Sequence, residues 1–201
     1  MGETTATRVR MAPERRREQL VDLGVRLLAT RSLEELSIEV LADEAGISRG
    51  LLYHYFGGKQ EFHLAVCRRA AEHLYEVTAP EGDASPLVQL ARSLERYVDY
   101  VAANYHGYVS LVRGAAGGHE ELRAIYESAR ASLTDRLFEA SPDEAAALGL
   151  VGTPQVRLVV RGWSAFVEEV VVEWVRDPRD VTREQLLATL GASLPGLLGT
   201  T

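Results

Sequence analysis

The stretch ADEAGISRGLLYHYFGGKQEF, residues 42–62, decides the fold of this chain. Its pattern predicts two short helices that meet at a tight turn. The first begins near Ser37, and Gly46 ends it, because a sharp corner needs the left-handed backbone that glycine adopts without strain. Ser48 is placed to cap the second helix by accepting from its free N–H groups.

The second of these helices has an apolar face and an exposed face. Its apolar side contains Leu52, Tyr53 and Phe56, which would dock it against the preceding helices. The residues left on the outer side are Arg49, Gly50, Leu51, His54 and Tyr55. This is the layout of a helix-turn-helix, whose second helix can enter the major groove of DNA.

These positions resemble the TetR family of bacterial transcriptional regulators. The matching features are the Ala-Gly-hydrophobic-Ser turn of residues 45–48, Gly50, the Tyr-x-x-Phe of Tyr53 and Phe56, and Lys59 followed by apolar Phe62. The resemblance implies an all-α fold of about nine helices. In it, an N-terminal three-helix helix-turn-helix domain binds DNA, and a long helix joins it to an α-helical ligand-binding and dimerisation domain.

Composition and periodicity divide the chain in agreement with that expectation. Residues 1–12 place arginines among small polar residues, which predicts a flexible basic arm. Residues 13–58 would form the helix-turn-helix domain, and residues 59–78 a connecting helix. Pro, Gly, Asp and Ser cluster in residues 79–86 and indicate a boundary, so residues 79–201 are expected to bind ligand and dimerise.

The bulk composition is that of an ordinary globular protein. Of 201 residues, 46% are hydrophobic and 25% charged, and the single cysteine excludes an internal disulfide framework. We find no apolar run long enough for a membrane span or a signal peptide, and expect a cytoplasmic protein without membrane partners. The net charge of −7 does not exclude DNA, because the first 60 residues carry nine basic and nine acidic side chains.

Arg49 is the strongest candidate for reading a base, because its planar fork matches the O6 and N7 acceptors of guanine. Gly50 would let the backbone approach DNA closely. Leu51 could touch a thymine methyl group, and His54 a base or a phosphate. At Leu51 the family often has a threonine or another polar residue.

Other candidates would hold the phosphate backbone. The resemblance implies that the Tyr53 hydroxyl contacts a phosphate. Lys59 and the free N–H groups at the start of its helix favour an anion, and Ser37 is placed similarly. At Tyr55 the family commonly has His. The predicted DNA-binding set is Ser37, Ser48, Arg49, Gly50, Leu51, Tyr53, His54, Tyr55 and Lys59.

The resemblance also implies a cavity for an unidentified small-molecule effector. The aromatic side chains favour a flat, mostly apolar ligand. The predicted ligand-binding residues are Tyr97, Tyr100, Asn104, Tyr105, Tyr108, Arg113, Tyr126, Trp163 and Phe166, with His119 as a further polar anchor. Aromatic residues at helical spacing are also typical of a plain core, and that alternative stays open for each of them.

The last two predicted helices carry apolar residues on more than one face, which indicates self-association. The predicted dimer interface contains Val167, Val170, Val171, Trp174, Leu187, Leu190 and Leu194. Filling both faces within one subunit is the alternative. Glu168, Glu169 and Glu173 are expected to form a solvated face with Arg161 and Arg176.

The expected function is that of a homodimeric, ligand-responsive repressor, released from a palindromic operator by a small, largely apolar or aromatic molecule. The alternative is an all-helical interaction protein that acts through a protein partner. The sequence contains no motif of the common catalytic or cofactor sites, so we predict no enzyme and no cofactor. His63 and Cys67 lie one helical turn apart but lack a third metal ligand, so a buried, inert Cys67 is the expectation, ahead of a redox switch.

Overall fold

The computed structural model describes residues 12–82, 84–139 and 149–199, so the predicted arm lies outside the described residues except for Ala12. The described residues form nine α-helices and no strand, which confirms the all-α expectation. The helices are α1 (Pro13–Leu27), α2 (Ile38–Ala45), α3 (Arg49–Phe56), α4 (Lys59–Val77), α5 (Pro86–Ala103), α6 (Tyr105–Ala116), α7 (Glu120–Asp135), α8 (Pro154–Arg176) and α9 (Arg183–Leu198), with a 3₁₀ turn Arg136–Phe138 after α7. None of these described helices is long and apolar enough to cross a membrane.

Serine caps and glycine turns define the helix-turn-helix. The Ser37 hydroxyl accepts from the backbone N–H of Val40 at the start of α2, and the Ser48 hydroxyl accepts from that of Leu51 at the start of α3. Gly46 ends α2 with a φ of 63°, in the left-handed region that favours glycine. The turn therefore has the geometry predicted from the sequence.

The docking face of α3 differs from the expected one at its two tyrosines. Leu52 and Phe56, one turn apart, are fully buried, whereas Tyr53 is 49% exposed. Each residue of an α-helix is rotated by about 100° from the one before it, so Tyr53 is turned away from the stripe that Leu52 and Phe56 occupy. Tyr55, expected on the outer side, is instead partly buried against the core of α1 to α4.

Helices α1 and α4 pack closely at Gly24. A Cβ atom at this position would lie 2.5 Å from the Val66 Cγ2 atom and 2.9 Å from the Phe62 Cζ atom.

His63 of α4 contacts the loop before α2, where a ring nitrogen lies 2.6 Å from the Leu36 carbonyl oxygen. Burial lowers the pKa of His63, which favours the neutral ring that donates this hydrogen bond.

A second hydrophobic core forms between α5, α8 and α9. Its buried residues include Leu90, Leu94, Val98, Val160, Trp163, Val171, Leu186, Leu190 and Leu194. Helix α9 begins with a capping box, in which Thr182 and Gln185 each accept from the other's backbone N–H.

Helices α6 and α7 join the two cores. The Gly107 N–H of α6 donates to the Leu28 carbonyl at 3.1 Å, and the Ser110 hydroxyl accepts from the Leu33 N–H at 3.1 Å. Ile125 of α7 is buried in the same core as α1 to α4. The helices on either side of residues 79–86 therefore share packing, although the domain boundary predicted there stays a prediction.

We expect Gly107→Ala to destabilise the protein by about 1–3 kcal/mol, because its Cβ would lie 2.6 Å from the Leu28 Cβ and 3.0 Å from the Leu28 carbonyl oxygen. Gly114→Ala on the same helix is the control, since its Cβ meets the movable Leu122 Cδ1 atom at 2.8 Å. It should stay within about 1 kcal/mol of the wild type in urea unfolding. Equal stability of the two variants would contradict the close approach of α6 to α1.

Candidate functional site

Helix α3 and the residues next to it present the predicted DNA-binding set at the surface. The exposed members are Ser48, Arg49, Gly50, Leu51, Tyr53, His54 and Lys59, while Ser37 and Tyr55 are partly buried. The Arg49 side chain is 67% exposed, and its Nη1 atom lies 3.8 Å from a Glu39 carboxylate oxygen. So long and exposed an ion pair contributes little to stability, and Arg49 is available to a partner.

Gly50 has no neighbour that requires a glycine. A Cβ atom there would meet nothing within 4 Å, and the residue lies within regular helix. Packing within the subunit therefore does not explain why this residue is a glycine. Because Gly50 has no side chain, another molecule can approach the backbone of α3 closely on its exposed side.

Lys59 extends from the start of α4 back to the loop between α1 and α2. Its ammonium group donates to the Glu34 carbonyl at 3.2 Å and remains exposed. The ammonium and the first N–H groups of α4 are thus both near the surface. This combination favours a phosphate oxygen.

Sequence reasoning missed the structural role of Arg17. Its Nε donates to the Tyr55 carbonyl at 3.3 Å, and its guanidinium lies 4.9 Å from the centre of the Phe56 ring. Its Nη2 atom also pairs with Glu61 at 3.3 Å. Arg17 therefore links α1 to the end of α3 and the start of α4. Because residues 15–17 are all arginines, the sequence alone did not indicate that Arg17 would form these contacts.

A cavity of about 610 Å³ lies between α1, α4, α5, α6, α7 and α8. This volume falls within the range of roughly 300–1,000 Å³ that is usual for small-molecule sites. Six predicted ligand-binding residues line it: Tyr97, Tyr100, Asn104, Tyr108, Tyr126 and Trp163. Their placement is compatible with a ligand site, and their role in binding stays a prediction.

The other predicted lining residues lie elsewhere. Tyr105 stacks edge-on against His106 at the start of α6, and Arg113 and His119 are exposed. Phe166 is 41% exposed, because Trp163 and Val167, one turn apart, occupy the inward face of α8. We therefore remove these four residues from the candidate cavity.

Glu168 lies in the cavity wall, not on the solvated face expected from the sequence. One carboxylate oxygen accepts from the Tyr108 hydroxyl at 2.8 Å, and the other accepts from the Tyr126 hydroxyl at 2.7 Å. The Tyr97 hydroxyl lies 2.7 Å from that of Tyr108. The Glu168 carboxylate thus connects α8 with α6 and α7 directly, and with α5 through Tyr108.

The two arginines expected near Glu168 form ion pairs on the outer surface instead: Arg161 pairs with Glu127, and Arg176 with Glu173.

Arg130 extends this network without contacting Glu168. Its Nη1 donates to the Tyr126 hydroxyl at 3.2 Å, its Nε to the Ser164 hydroxyl at 2.9 Å, and its Nη2 to the Arg161 carbonyl at 2.9 Å. None of the ion pairs found in the described residues includes Glu168. The Arg130 guanidinium is connected to the Glu168 carboxylate only through the Tyr126 hydroxyl.

Burial strengthens the preference of the phenols in this network for the protonated form. It is the main cause that raises the pKa of Tyr97 and Tyr108 above the ordinary value. Burial, followed by the hydrogen bond to Glu168, raises the pKa of Tyr126 to about 12. The tyrosines therefore remain hydrogen-bond donors at neutral pH.

The predicted dimer interface needs correction at four positions. Val167, Val171, Leu190 and Leu194 are buried within one subunit, where α8 packs on α5 and α9, so they offer no surface to a partner. Val170, Trp174 and Leu187 are partly buried. The apolar surface that α8 and α9 leave exposed contains Leu158, Gly162, Ala165, Phe166, Ala188, Ala192 and Leu197.

The pair His63 and Cys67 does not extend to a metal site. No cluster of three or more His, Cys, Asp or Glu suited to a metal occurs in residues 12–82, 84–139 and 149–199. Cys67 lines the cavity, and burial raises the pKa of its thiol to about 12. The thiol is therefore protonated and unreactive at neutral pH.

The capped turn and the exposed face of α3 define a helix-turn-helix DNA-binding protein. Two family models match the chain: bacterial regulatory proteins of the tetR family over residues 20–66, and the tetracyclin repressor-like C-terminal domain over residues 86–193. The chain belongs to the TetR family of bacterial transcriptional regulators, and so acts by binding DNA and not by catalysis. The family predicted from residues 42–62 is confirmed.

Individual relatives match different parts of the chain. A crystal structure of a tetR-family transcriptional regulator from Streptomyces coelicolor is 31% identical, with a TM-score of 0.80, over 93% of this chain and 82% of that one. The HTH-type transcriptional regulator BetI of Brucella canis is 39% identical over 67 residues, 33% of each chain. The match thus spans a third of the length of BetI. The HTH-type transcriptional activator FasR of Mycolicibacterium smegmatis is 21% identical over 87% of this chain and 79% of its own.

We expect Cys67 to react with a disulfide reagent at pH 8 on the order of 10³-fold more slowly in the folded protein than after denaturation, because little of its thiol is ionised. The measurement is the rate of thionitrobenzoate release. A Cys67→Ala, Ser132→Cys variant, with the thiol on the exposed side of α7, is the control and should react quickly. Rapid labelling of native Cys67 would contradict the protonated, enclosed thiol.

Proposed function

We propose that the protein is a homodimeric repressor that binds a palindromic DNA operator and releases it when a small, largely apolar or aromatic molecule occupies the cavity. The observation that carries this proposal is the position of α4. Its first residue, Lys59, lies beside the predicted DNA-binding surface, and its later residues Cys67, Ala70 and Leu74 line the cavity. Helix α4 thus extends from the predicted DNA-binding surface to the cavity.

The proposed division of labour follows the predicted ranges. Residues 1–12 are the basic arm, residues 13–58 bind DNA, residues 59–78 connect, and residues 79–201 bind ligand and dimerise. Arg49 reads a base, while Lys59 and Tyr53 hold phosphates. A regulator of this kind acts on the chromosome, and we assign it to the cytoplasm for that reason.

Ligand binding in the cavity would change the position of the DNA-binding surface through two sets of contacts between helices. Arg136, just after α7, donates to the Tyr75 carbonyl at 2.7 Å and to the Thr78 hydroxyl at 3.3 Å, so it links α7 to the end of α4. Gly107 links α6 to the end of α1. A ligand that favours one arrangement of α6 and α7 would bias α1 and α4, and the change is limited by its differential affinity for the two arrangements.

The apolar surface of α8 and α9 supports a dimer. Leu158 is 71% exposed and shares a helical face with the small residues Gly162 and Ala165, which permits close helix packing, and Leu197 of α9 is 58% exposed. Exposed apolar residues of this kind commonly form contacts between subunits. Dimerisation would hold two copies of α3 about one helical turn of DNA apart, roughly 34 Å, as a palindrome requires.

The DNA-binding proposal is tested with two substitutions after an operator has been selected from random DNA. Arg49→Ala should reduce discrimination between the operator and a base-substituted operator by about 1–3 kcal/mol. Lys59→Ala should weaken binding to all sequences alike and lower the slope of log affinity against log salt by about 1. Fluorescence anisotropy across a salt series measures both quantities.

Arg183→Ala, at the start of α9 and outside the predicted DNA-binding residues, is the control and should bind DNA like the wild type. If Arg49→Ala recognised the operator as well as the wild type, the base-reading role of Arg49 would be wrong. Failure to select any DNA, together with a stable protein complex, would instead favour the all-helical interaction protein.

The dimer is tested by introducing a charge into its proposed surface. Phe166→Glu should raise the dimer dissociation constant by roughly 30-fold or more, because a carboxylate would be buried without a partner. Val88→Glu, at an exposed position of α5, is the matched control and should leave the dimer intact. Sedimentation velocity over a concentration series gives both constants. A wild-type monomer at micromolar concentration would refute the dimer.

A further inference from the structure

We infer that the cavity selects a hydrophobic organic cation, whose positive centre lies against Glu168 and the surrounding tyrosine rings. The inference rests on the ligand cavity of the proposed function and adds the charge of the ligand. Its basis is a carboxylate that has hydrogen bonds in the cavity wall but no ion-pair partner among the described residues.

The Glu168 side chain is the acceptor in both of its hydrogen bonds. Tyr108 and Tyr126 each donate a phenol proton to a different carboxylate oxygen, and Tyr97 is hydrogen-bonded to Tyr108 behind them. Both oxygens of the Glu168 side chain therefore accept a hydrogen bond in this network. An ionised carboxylate offers about four acceptor positions, so about two remain for a ligand that donates.

Arg130 does not neutralise this carboxylate by contact. Its three guanidinium nitrogens donate to the Tyr126 hydroxyl, the Ser164 hydroxyl and the Arg161 carbonyl. These acceptors are neutral, and they hold the guanidinium beside Tyr126 in the cavity lining. Glu168 therefore has no ion-pair partner in a largely apolar cavity, whose lining also includes Arg130 and Arg136, and electrostatic attraction there is stronger than in water.

The aromatic lining fits the same ligand charge. Tyr97, Tyr108, Tyr126 and Trp163 line the cavity together with Glu168. The negative faces of aromatic rings attract cations, and desolvation strengthens that attraction. An anionic ligand would face the carboxylate as a like charge, and a neutral alcohol would gain only a hydrogen bond. A cation with an apolar tail would contact both the carboxylate and the aromatic rings of the wall.

The test uses four probes that share one tail and differ in their polar group: octylamine, octyltrimethylammonium, octanol and octanoate. Trp163 reports binding by its fluorescence in a Trp174→Phe protein, in which it is the remaining one of the chain's two tryptophans. We expect both cations to bind about ten-fold or more tightly than octanol. Octanoate should be the weakest probe.

Glu168→Gln should lower the affinity for both cations by roughly 30-fold and change that for octanol little, because it removes the charge and keeps the shape. Glu169→Gln is the matched control, since its neighbouring carboxylate is exposed on the outer side of α8. It should leave all four affinities unchanged. If Glu168→Gln fails to fold, the order of the four probes on the wild-type cavity decides the question.

Tighter binding of octanoate or octanol than of the cations would overturn the inference, as would an unchanged cation affinity in a folded Glu168→Gln protein. Absence of binding by all four probes would also overturn it, since the cations carry every group that the wall is inferred to need. Each probe is then added to the protein–operator complex. Glu168-dependent cation binding without DNA release would refute the proposed ligand response and leave the cation site standing.

Discussion

The close approach of α1 to α4 at Gly24 is the contact on which the rest of the structure depends. A Cβ atom there would overlap the Val66 and Phe62 side chains of α4, so a larger residue would force these side chains or the two helices apart. Phe62 in turn packs edge-on against Phe56, the buried end of α3, with ring centres 5.1 Å apart. The direction of α4 is thereby fixed relative to α3. Because α4 continues to the cavity, the same contact also fixes the cavity relative to the exposed face of α3.

The fold was readable from the sequence because its signals are local. Caps, glycine turns and apolar stripes act within one helix, and Ser37, Gly46, Ser48 and the Thr182 capping box each define a boundary by contacts a few residues away. Most residues expected on the surface of α3 are exposed for the same reason, since a short helix with two buried residues leaves little choice. Tyr53 and Tyr55 show the limit, because residue type alone did not indicate which of the two tyrosines packs inward.

The cavity was less predictable because it depends on how six helices meet. Phe166 and Trp163 are both aromatic residues of α8, yet only Trp163 faces the cavity, and nothing in their types distinguishes them. Glu168 was grouped with Glu169 and Glu173 for the same reason. Its hydroxyl partners come from residues 42 and 60 positions earlier in the chain, so no local pattern could reveal them. The buried valines and leucines of α8 and α9 were also misassigned, since an apolar residue does not indicate which neighbour covers it.

Stability alone gives no reason to place a carboxylate in this wall. An apolar side chain of similar volume in a packed interior is often neutral or stabilising relative to a buried charge. Glu168 instead holds Tyr108 and Tyr126, and through them it joins helices that also contact α1 and α4. Any molecule that draws the carboxylate toward itself must disturb or tighten hydrogen bonds shared by α6, α7 and α8. The polar group that would select a ligand is therefore also the group best connected to the helices that must respond to it.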